Sequence, residues 1–407
     1  MATVTQLRAA LQAGERCPLR AIHTAIQRYA GTACPHLRCP AVERGAPRGD
    51  SQGRGASGRK PCTSGKLGSG GNTSGLTYRL TRSPACSITA CPTRGGPYRW
   101  NATAMETDID RESLSRVVAI ANGKGGVGKT STATTLAGLA ATVGYKILLI
   151  DLDPQGNVGE DLGYTGAGLS DDGAALVGSL VAGTSLTISV PQARENIDVI
   201  AGGERLDDLA GVLLARHARG GDVADVLAAP LAKLLDQADY DLVIIDCPPG
   251  EPNLQLLALG AARWLVIPTR GDAASLKGMT RIAQRLVEAR NRNPTLDLLG
   301  VVLFDIASSA TRLKREISEE INLALGGVAP LFNATIRHSI SAMDARRRGL
   351  LVHEHAAQLE GEPFWQALRE GRRPSSPGSA PALAGDYAAL SHEILTRISA
   401  LELAATV

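Results

Sequence analysis

Aromatic side chains make up only 3% of this 407-residue chain, so whatever core it builds must be packed from alanine, leucine, valine and isoleucine. Cysteine is almost missing from three quarters of it: Cys17, Cys34, Cys39, Cys62, Cys86 and Cys91 all precede residue 105, and Cys247 stands alone after it. A single thiol cannot build a disulfide framework, which fits a reducing compartment. No run of about 18 apolar residues occurs, so a membrane-spanning helix is not expected. The opening MATVTQLRAALQAGERC also lacks an apolar signal-peptide core, and the reading is a cytoplasmic protein. Metal-site spacing is missing too. Cys34/Cys39 and Cys86/Cys91 have no matching second halves for zinc, and His353-Glu354-His355, without further ligands, reads as a surface turn.

A large charge imbalance is absent from the whole chain, with 43 Lys+Arg against 40 Asp+Glu and a net +3, but the sum hides two unlike segments. Residues 1–104 hold fifteen of the basic side chains and only three acidic ones, Glu15, Glu43 and Asp50, a net +12 that leaves −9 for residues 105–407. From Ala41 to Gly96 the chain is dominated by Gly, Ser, Arg, Pro and Thr without apolar periodicity, the composition of a disordered segment. Met105 lies shortly before the first clear strand. Residues 1–104 are therefore expected to be a basic leader, disordered or upstream of the native start. A globular body over 105–372, a Pro/Ser/Gly-rich linker over 373–385 and a terminal helix over 386–407 are expected to follow.

The body is built of alternating elements. Short apolar runs at Val117–Ala121, Ile147–Ile150, Ile197–Ile200, Leu242–Ile245, Trp264–Ile267 and Leu299–Phe304 read as strands buried on both faces. Segments near 131–143, 205–217, 222–237, 274–291 and 309–324 read as helices between them. In the last of these, Leu313, Ile317 and Ile321 share one face, opposite Arg312, Arg315, Glu316, Glu319 and Glu320. The expected fold class is α/β, a mostly parallel sheet flanked by helices on both faces. A hydrophobic content of 44% is ample for such a core.

Gly123-Lys124-Gly125-Gly126-Val127-Gly128-Lys129-Thr130 fits the G-x-x-x-x-G-K-[ST] phosphate loop and sits after the strand VVAIA and before the helix STATTLAGLAA, with Ser131 opening that helix. Glycines let backbone N–H groups curl around phosphate oxygens, and the helix N-terminus adds its positive end. Lys129 is then placed for the β- and γ-phosphates of ATP and the Thr130 hydroxyl for Mg²⁺. Two strands end in aspartate, LLIDLD at Asp151 and Asp153 and LVIID at Asp246, at the strand edge where α/β sheets hold ligands. A strand-terminal carboxylate such as Asp246 can hold Mg²⁺ through water.

NGKGGVGKTS, then LLIDLDPQGN, then VIIDCPPG, with WLVIPTRGDAASLKGM and ATIRHSIS further on, resembles the ParA partition ATPases, members of the deviant Walker A class of P-loop NTPases. The resemblance runs from about Arg116 to Leu359. It implies that Lys124 is the signature lysine reaching a partner's ATP across a dimer, and that Asp153 orients the attacking water. It further implies that Asp151 lies near the Mg²⁺ shell, that Asp246 is the Walker B aspartate, and that Cys247-Pro248-Pro249-Gly250 is a switch segment.

The resemblance also implies an ATP-bound homodimer that binds nucleoid DNA without sequence preference, a ParB-type centromere-binding partner, and slow turnover unless stimulated. Arg337 matches a DNA-binding arginine of the family. Arg346, Arg347 and Arg348 are a local basic feature added as candidates, with Arg312, Lys314 and Arg315 weaker because acids share their helix. Two alternatives stand beside this reading: an ATP-liganded DNA-binding regulator without turnover, and a MinD-like cell-division ATPase. The second needs a basic amphipathic C-terminal helix. Here the final helix offers only Arg397 among Glu393 and Glu402 on its polar face, and it is expected to pack on the body through Tyr387, Leu390, Ile394, Ile398 and Leu401.

Overall fold

The computed structural model describes residues 109–219, 222–307, 310–324, 331–361, 369 and 378–405. The basic leader, its cysteines, Met105 and residues 373–377 of the expected linker lie outside the described residues.

The described chain forms one eight-stranded sheet. Its strands are β1 (Val117–Ile120), β2 (Ile147–Asp151), β3 (Val190–Arg194), β4 (Ile197–Ile200), β5 (Leu242–Asp246), β6 (Trp264–Thr269), β7 (Asp297–Phe304) and β8 (Leu331–Ile336). They lie in the order β3-β4-β2-β5-β1-β6-β7-β8, and only the β3–β4 pair is antiparallel. The expected mostly parallel α/β sheet is therefore present, and all six expected strands are in it. The two strands not expected, β3 and β8, are the two edges. β3 reads VPQAR with two exposed residues and β8 reads LFNATI, so neither carries the continuous apolar run of a central strand.

Helices follow the strands: α1 (Lys129–Thr142), α2 (Asn157–Asp161), α3 (Ala174–Ala182), α4 (Arg205–Ala218), α5 (Asp225–Leu235), α6 (Pro252–Ala261), α7 (Ala273–Arg290), α8 (Thr311–Ala324), α9 (Ser341–Arg347), α10 (Val352–Gly361) and α11 (Ala380–Ala405). The alternation of side chains along a strand splits the core between two faces. Leu148 and Ile150 of β2 point into one layer with Leu206, Leu231, Leu257, Ile282 and Ile317 from α4 to α8. Ile147 and Leu149 point into the other, with Leu136 of α1, Val352 of α10 and Tyr387 of α11. Each such fully buried aliphatic side chain contributes about 1.5–3 kcal/mol of transfer free energy.

α11 begins at Ala380, earlier than the expected 386, and docks Tyr387, Leu390, Ile394 and Ile398 against the body, while Leu401 stays 41% exposed. Arg397 does not lie on an outward polar face. Its guanidinium stacks 4.4 Å from the Phe332 ring and donates to the Leu299 carbonyl at 2.8 Å, because Gly300 leaves room for it at the sheet edge. No described helix is long and apolar enough to cross a membrane.

Candidate functional site

The register of the central strands assembles the site. Asp151 at the end of β2 is paired directly with Asp246 at the end of β5, and Asp246 with Ile120 at the end of β1, so two carboxylates and the start of the phosphate loop meet at one strand edge. Both carboxylates are fully buried. Burial pushes Asp246 up to about 7, with the Thr130 hydrogen bond and Lys129 pulling the other way. Burial, reinforced by Asp246, carries Asp151 well above the usual carboxylate range.

The loop between β1 and α1 takes the conformation a phosphate cradle needs. Gly126 and Gly128 have φ of 71° and 86°, the left-handed region that favours glycine. A Cβ at Gly128 would also fall 2.1 Å from the Phe304 ring, so no other residue fits there. Asn122, fully buried, anchors the loop by donating to the Pro268 carbonyl at 2.8 Å and accepting from the Lys124 N–H at 3.0 Å.

Lys129 folds back over the loop and donates to the Lys124 carbonyl at 3.1 Å. Burial lowers its ammonium pKa, against the pull of Asp246 and Asp153. The Thr130 hydroxyl donates to Asp246 Oδ2 at 2.6 Å, while Asp246 Oδ1 is buried with no hydrogen-bond partner among the described residues. An unsatisfied buried carboxylate oxygen next to a hydroxyl fits a cation site, since an orphaned acceptor is costly until something binds it. The residues present thus suit Mg²⁺ and a polyphosphate.

Asp151 accepts from the Asp153 N–H at 2.8 Å and the Val158 N–H at 3.3 Å, so it organises the loop that carries Asp153. Asp153 itself is 5% exposed, and its Oδ1 accepts from the Gln155 N–H at 3.0 Å. Cys247 is buried behind Asp246, and burial raises its thiol well above the ordinary value. Lys124 turns away from the loop, and its ammonium lies 2.7 Å from Asp272, the N-cap of α7. A hydrogen bond to Lys124, then one to Ser275, holds Asp272 well below the usual carboxylate range.

The arginines selected from the sequence are not gathered into one patch. Arg337 makes a two-pronged pair with Asp386 of α11, Nε at 2.6 Å and Nη2 at 2.7 Å. Arg346 pairs with the buried Asp161, which also accepts from Thr134 at 2.9 Å, and Arg346 Nη2 lies 3.4 Å from the Ser131 hydroxyl. Arg348 reaches Asp344 at 3.2 Å, and Arg347 is exposed. Arg312 and Arg315 pair with Glu316 and Glu319, and Lys314 donates to Thr335.

The expected surface turn at His353–His355 is corrected: both histidines are buried on α10, at 8% and 2% exposure. Gly138 of α1 leaves the space, since a Cβ there would meet His353 at 2.7 Å. Around these histidines, as elsewhere among the described residues, no group of three or more His, Cys, Asp or Glu side chains is placed to hold a metal ion. A cavity of about 620 Å³ opens at the opposite, N-terminal edge of the sheet, between Arg116, Tyr240, Arg263 and Trp264, away from the phosphate loop.

Reading the sequence missed Asn122, Asp161 and Asp272 as parts of the site. Asn122 and Asp272 sit inside motifs already noted, but their partners lie about 150 positions away in sequence (Pro268 and Lys124), so only the fold reveals the contacts.

Residues 115–298 match a family model described as an AAA domain. The chromosome-partitioning ATPase Soj of Thermus thermophilus is 30% identical over 264 residues, covering 63% of this chain and 94% of that protein. The chromosome partitioning protein ParA of Caulobacter vibrioides is 31% identical over 257 residues, covering 62% and 92%. The sporulation initiation inhibitor protein Soj of Bacillus subtilis is 32% identical over 212 residues, covering 51% and 79%.

Proposed function

The chain belongs to the ParA/Soj family of chromosome-partitioning ATPases, and from that premise we propose that it is itself a Mg²⁺-dependent ATPase whose nucleotide cycle drives DNA partition. The observation that carries this reading is the Thr130–Asp246 pair with its unpartnered carboxylate oxygen, set beneath the glycine loop. Backbone N–H groups of residues 123–130 and the N-terminus of α1 cradle the phosphates. Lys129, freed from the Lys124 carbonyl, neutralises the β- and γ-oxygens.

Thr130 and Asp246, with Asp151 behind them, are the residues that would hold Mg²⁺. When bound, the ion neutralises the charge that builds on the phosphate oxygens. Asp153 orients the attacking water from the loop that Asp151 pins in place. Lys124 supplies a charge in trans within an ATP-bound homodimer. Its ion pair with Asp272 is partly exposed, a class worth about 0–1 kcal/mol, so a partner's phosphate can displace it. The dimer binds nucleoid DNA without sequence preference, and hydrolysis, accelerated by a ParB-type partner, releases it.

Phosphate release tests the reading. The wild-type chain should hydrolyse ATP slowly with Mg²⁺, below the ~10 per second of a typical enzyme, and faster with DNA and a ParB-type protein. Asp153→Ala should keep ATP binding and lose turnover by about 100-fold or more. Retained turnover removes Asp153 from the mechanism, and zero turnover of the wild type under every condition favours the regulator that uses ATP only as a ligand.

A further inference from the structure

Five of the six arginines chosen from the sequence already have acidic partners, whereas α7 carries cations that have none among the described residues. Lys277 and Arg281 are exposed, and neither side chain forms an ion pair or hydrogen bond with another described residue. With Arg285 they recur every fourth residue, a spacing that lines side chains along one side of a helix. The stripe runs beside the buried face made by Gly278, Met279, Ile282 and Leu286. Glu288 follows one turn beyond Arg285, the only acid at that end of the stripe. Like charges four apart on a helix repel, a cost the free protein carries and an anionic partner would remove.

The same helix is tied to the phosphate loop at both ends of the stripe. The Gly123 N–H donates to the Gly278 carbonyl at 3.3 Å, and a Cβ on Gly278 would lie 2.4 Å from Asn122 Oδ1, so the first turns of α7 touch the loop backbone. Further along, Arg285 donates to Gln255 Oε1, and the fully buried Gln255 donates to the Pro248 carbonyl at 2.7 Å. Pro248 lies two residues after Asp246, and its neighbour Pro249 lies against Gly125. Two hydrogen bonds thus link the segment after Asp246 to a guanidinium of the stripe.

We propose that Lys277, Arg281 and Arg285 form the surface by which this protein docks on the phosphate backbone of DNA, with Gln255 coupling that surface to the nucleotide site. The inference rests on the ATP-switched DNA binding put forward above and names its surface. Lys277 and Arg281, exposed and without acidic partners among the described residues, suit a backbone contact, which positions without reading bases. A lipid surface fits less well, because the outward side of α7 offers Val287 as its only large apolar side chain.

The test uses the full chain with ATP and a duplex of random sequence, followed by fluorescence anisotropy from about 50 to 200 mM salt. K277A/R281A should weaken binding by about tenfold or more and flatten the plot of log affinity against log salt by about one for each phosphate no longer neutralised. Arg347→Ala should weaken it less. Arg285→Gln should narrow the ratio of affinities in ATP and ADP, and circular dichroism checks that each variant is folded. Unchanged affinity and slope in K277A/R281A, or a larger effect of Arg347→Ala, overturns the surface. A wild-type chain that fails to bind DNA in ATP overturns the underlying reading instead. If K277A/R281A loses binding only to anionic vesicles, the stripe is reassigned to lipid.

Discussion

Asp246 shows how a single residue links sequence to chemistry. Its place at the end of LVIID was legible because a strand-terminal aspartate interrupts an otherwise apolar run, but its protonation was not, since that depends first on burial, which only the fold supplies. Burial pushes Asp246 to about 7, above the ~3.9 of an aspartate in an unfolded chain. Between those values the folded chain holds a proton that the unfolded chain has lost. The linked stability is therefore full below about pH 4 and is lost as pH rises through 7. A Mg²⁺ ligand must be ionised, so the rise in melting temperature given by Mg²⁺ and nucleotide should be larger at pH 8 than at pH 6. Equal rises at the two values would show that Asp246 does not hold the ion. Lys124 carries the complementary lesson: its position in NGKGGVGKTS is plain in the sequence, while its resting partner Asp272, 148 residues on, is visible only in the fold.

Among the elements, those with continuous apolar runs were readable and those at boundaries were not. β3 and β8 are edge strands with polar positions facing out, and α10 was hidden because His353 and His355 look polar in isolation yet are buried, His353 in the space that Gly138 leaves. α11 was readable from its spacing, but the contact that fixes its angle was not. Asp386, 15% exposed, accepts from the Arg337 N–H and both ends of its guanidinium, joining α11 to the strand edge at β8. Asp386→Ala leaves that guanidinium without its acid and should cost about 2 kcal/mol, in the range of hydrogen bonds to charged groups. Urea unfolding measures it, and a change below about 0.5 kcal/mol, the scale of an ordinary surface substitution, would make the pair incidental. The same contact means that weaker DNA binding by an Arg337 variant must be corrected for reduced stability before Arg337 is counted as a contact.

Across the whole molecule, charge is distributed against bulk attraction to DNA: residues 105–407 carry −9, while +12 resides in residues 1–104. A net-negative body can still bind a polyanion through a local patch, because screening limits repulsion to about 8–10 Å at physiological salt. Such a patch should respond to nucleotide, whereas a basic leader attracts DNA whatever occupies the phosphate loop. Starting the chain at Met105 separates the two, since every element described lies beyond that residue. In ADP, the full chain should bind random duplex more tightly than the shortened chain, by tenfold or more at about 50 mM salt. In ATP the two should converge, leaving the shortened chain with the larger ATP-to-ADP ratio of affinities. Filter binding of both chains in both nucleotides measures this. A shortened chain with no ATP preference would place the DNA affinity in the leader and leave the ATPase body without a nucleic-acid surface of its own.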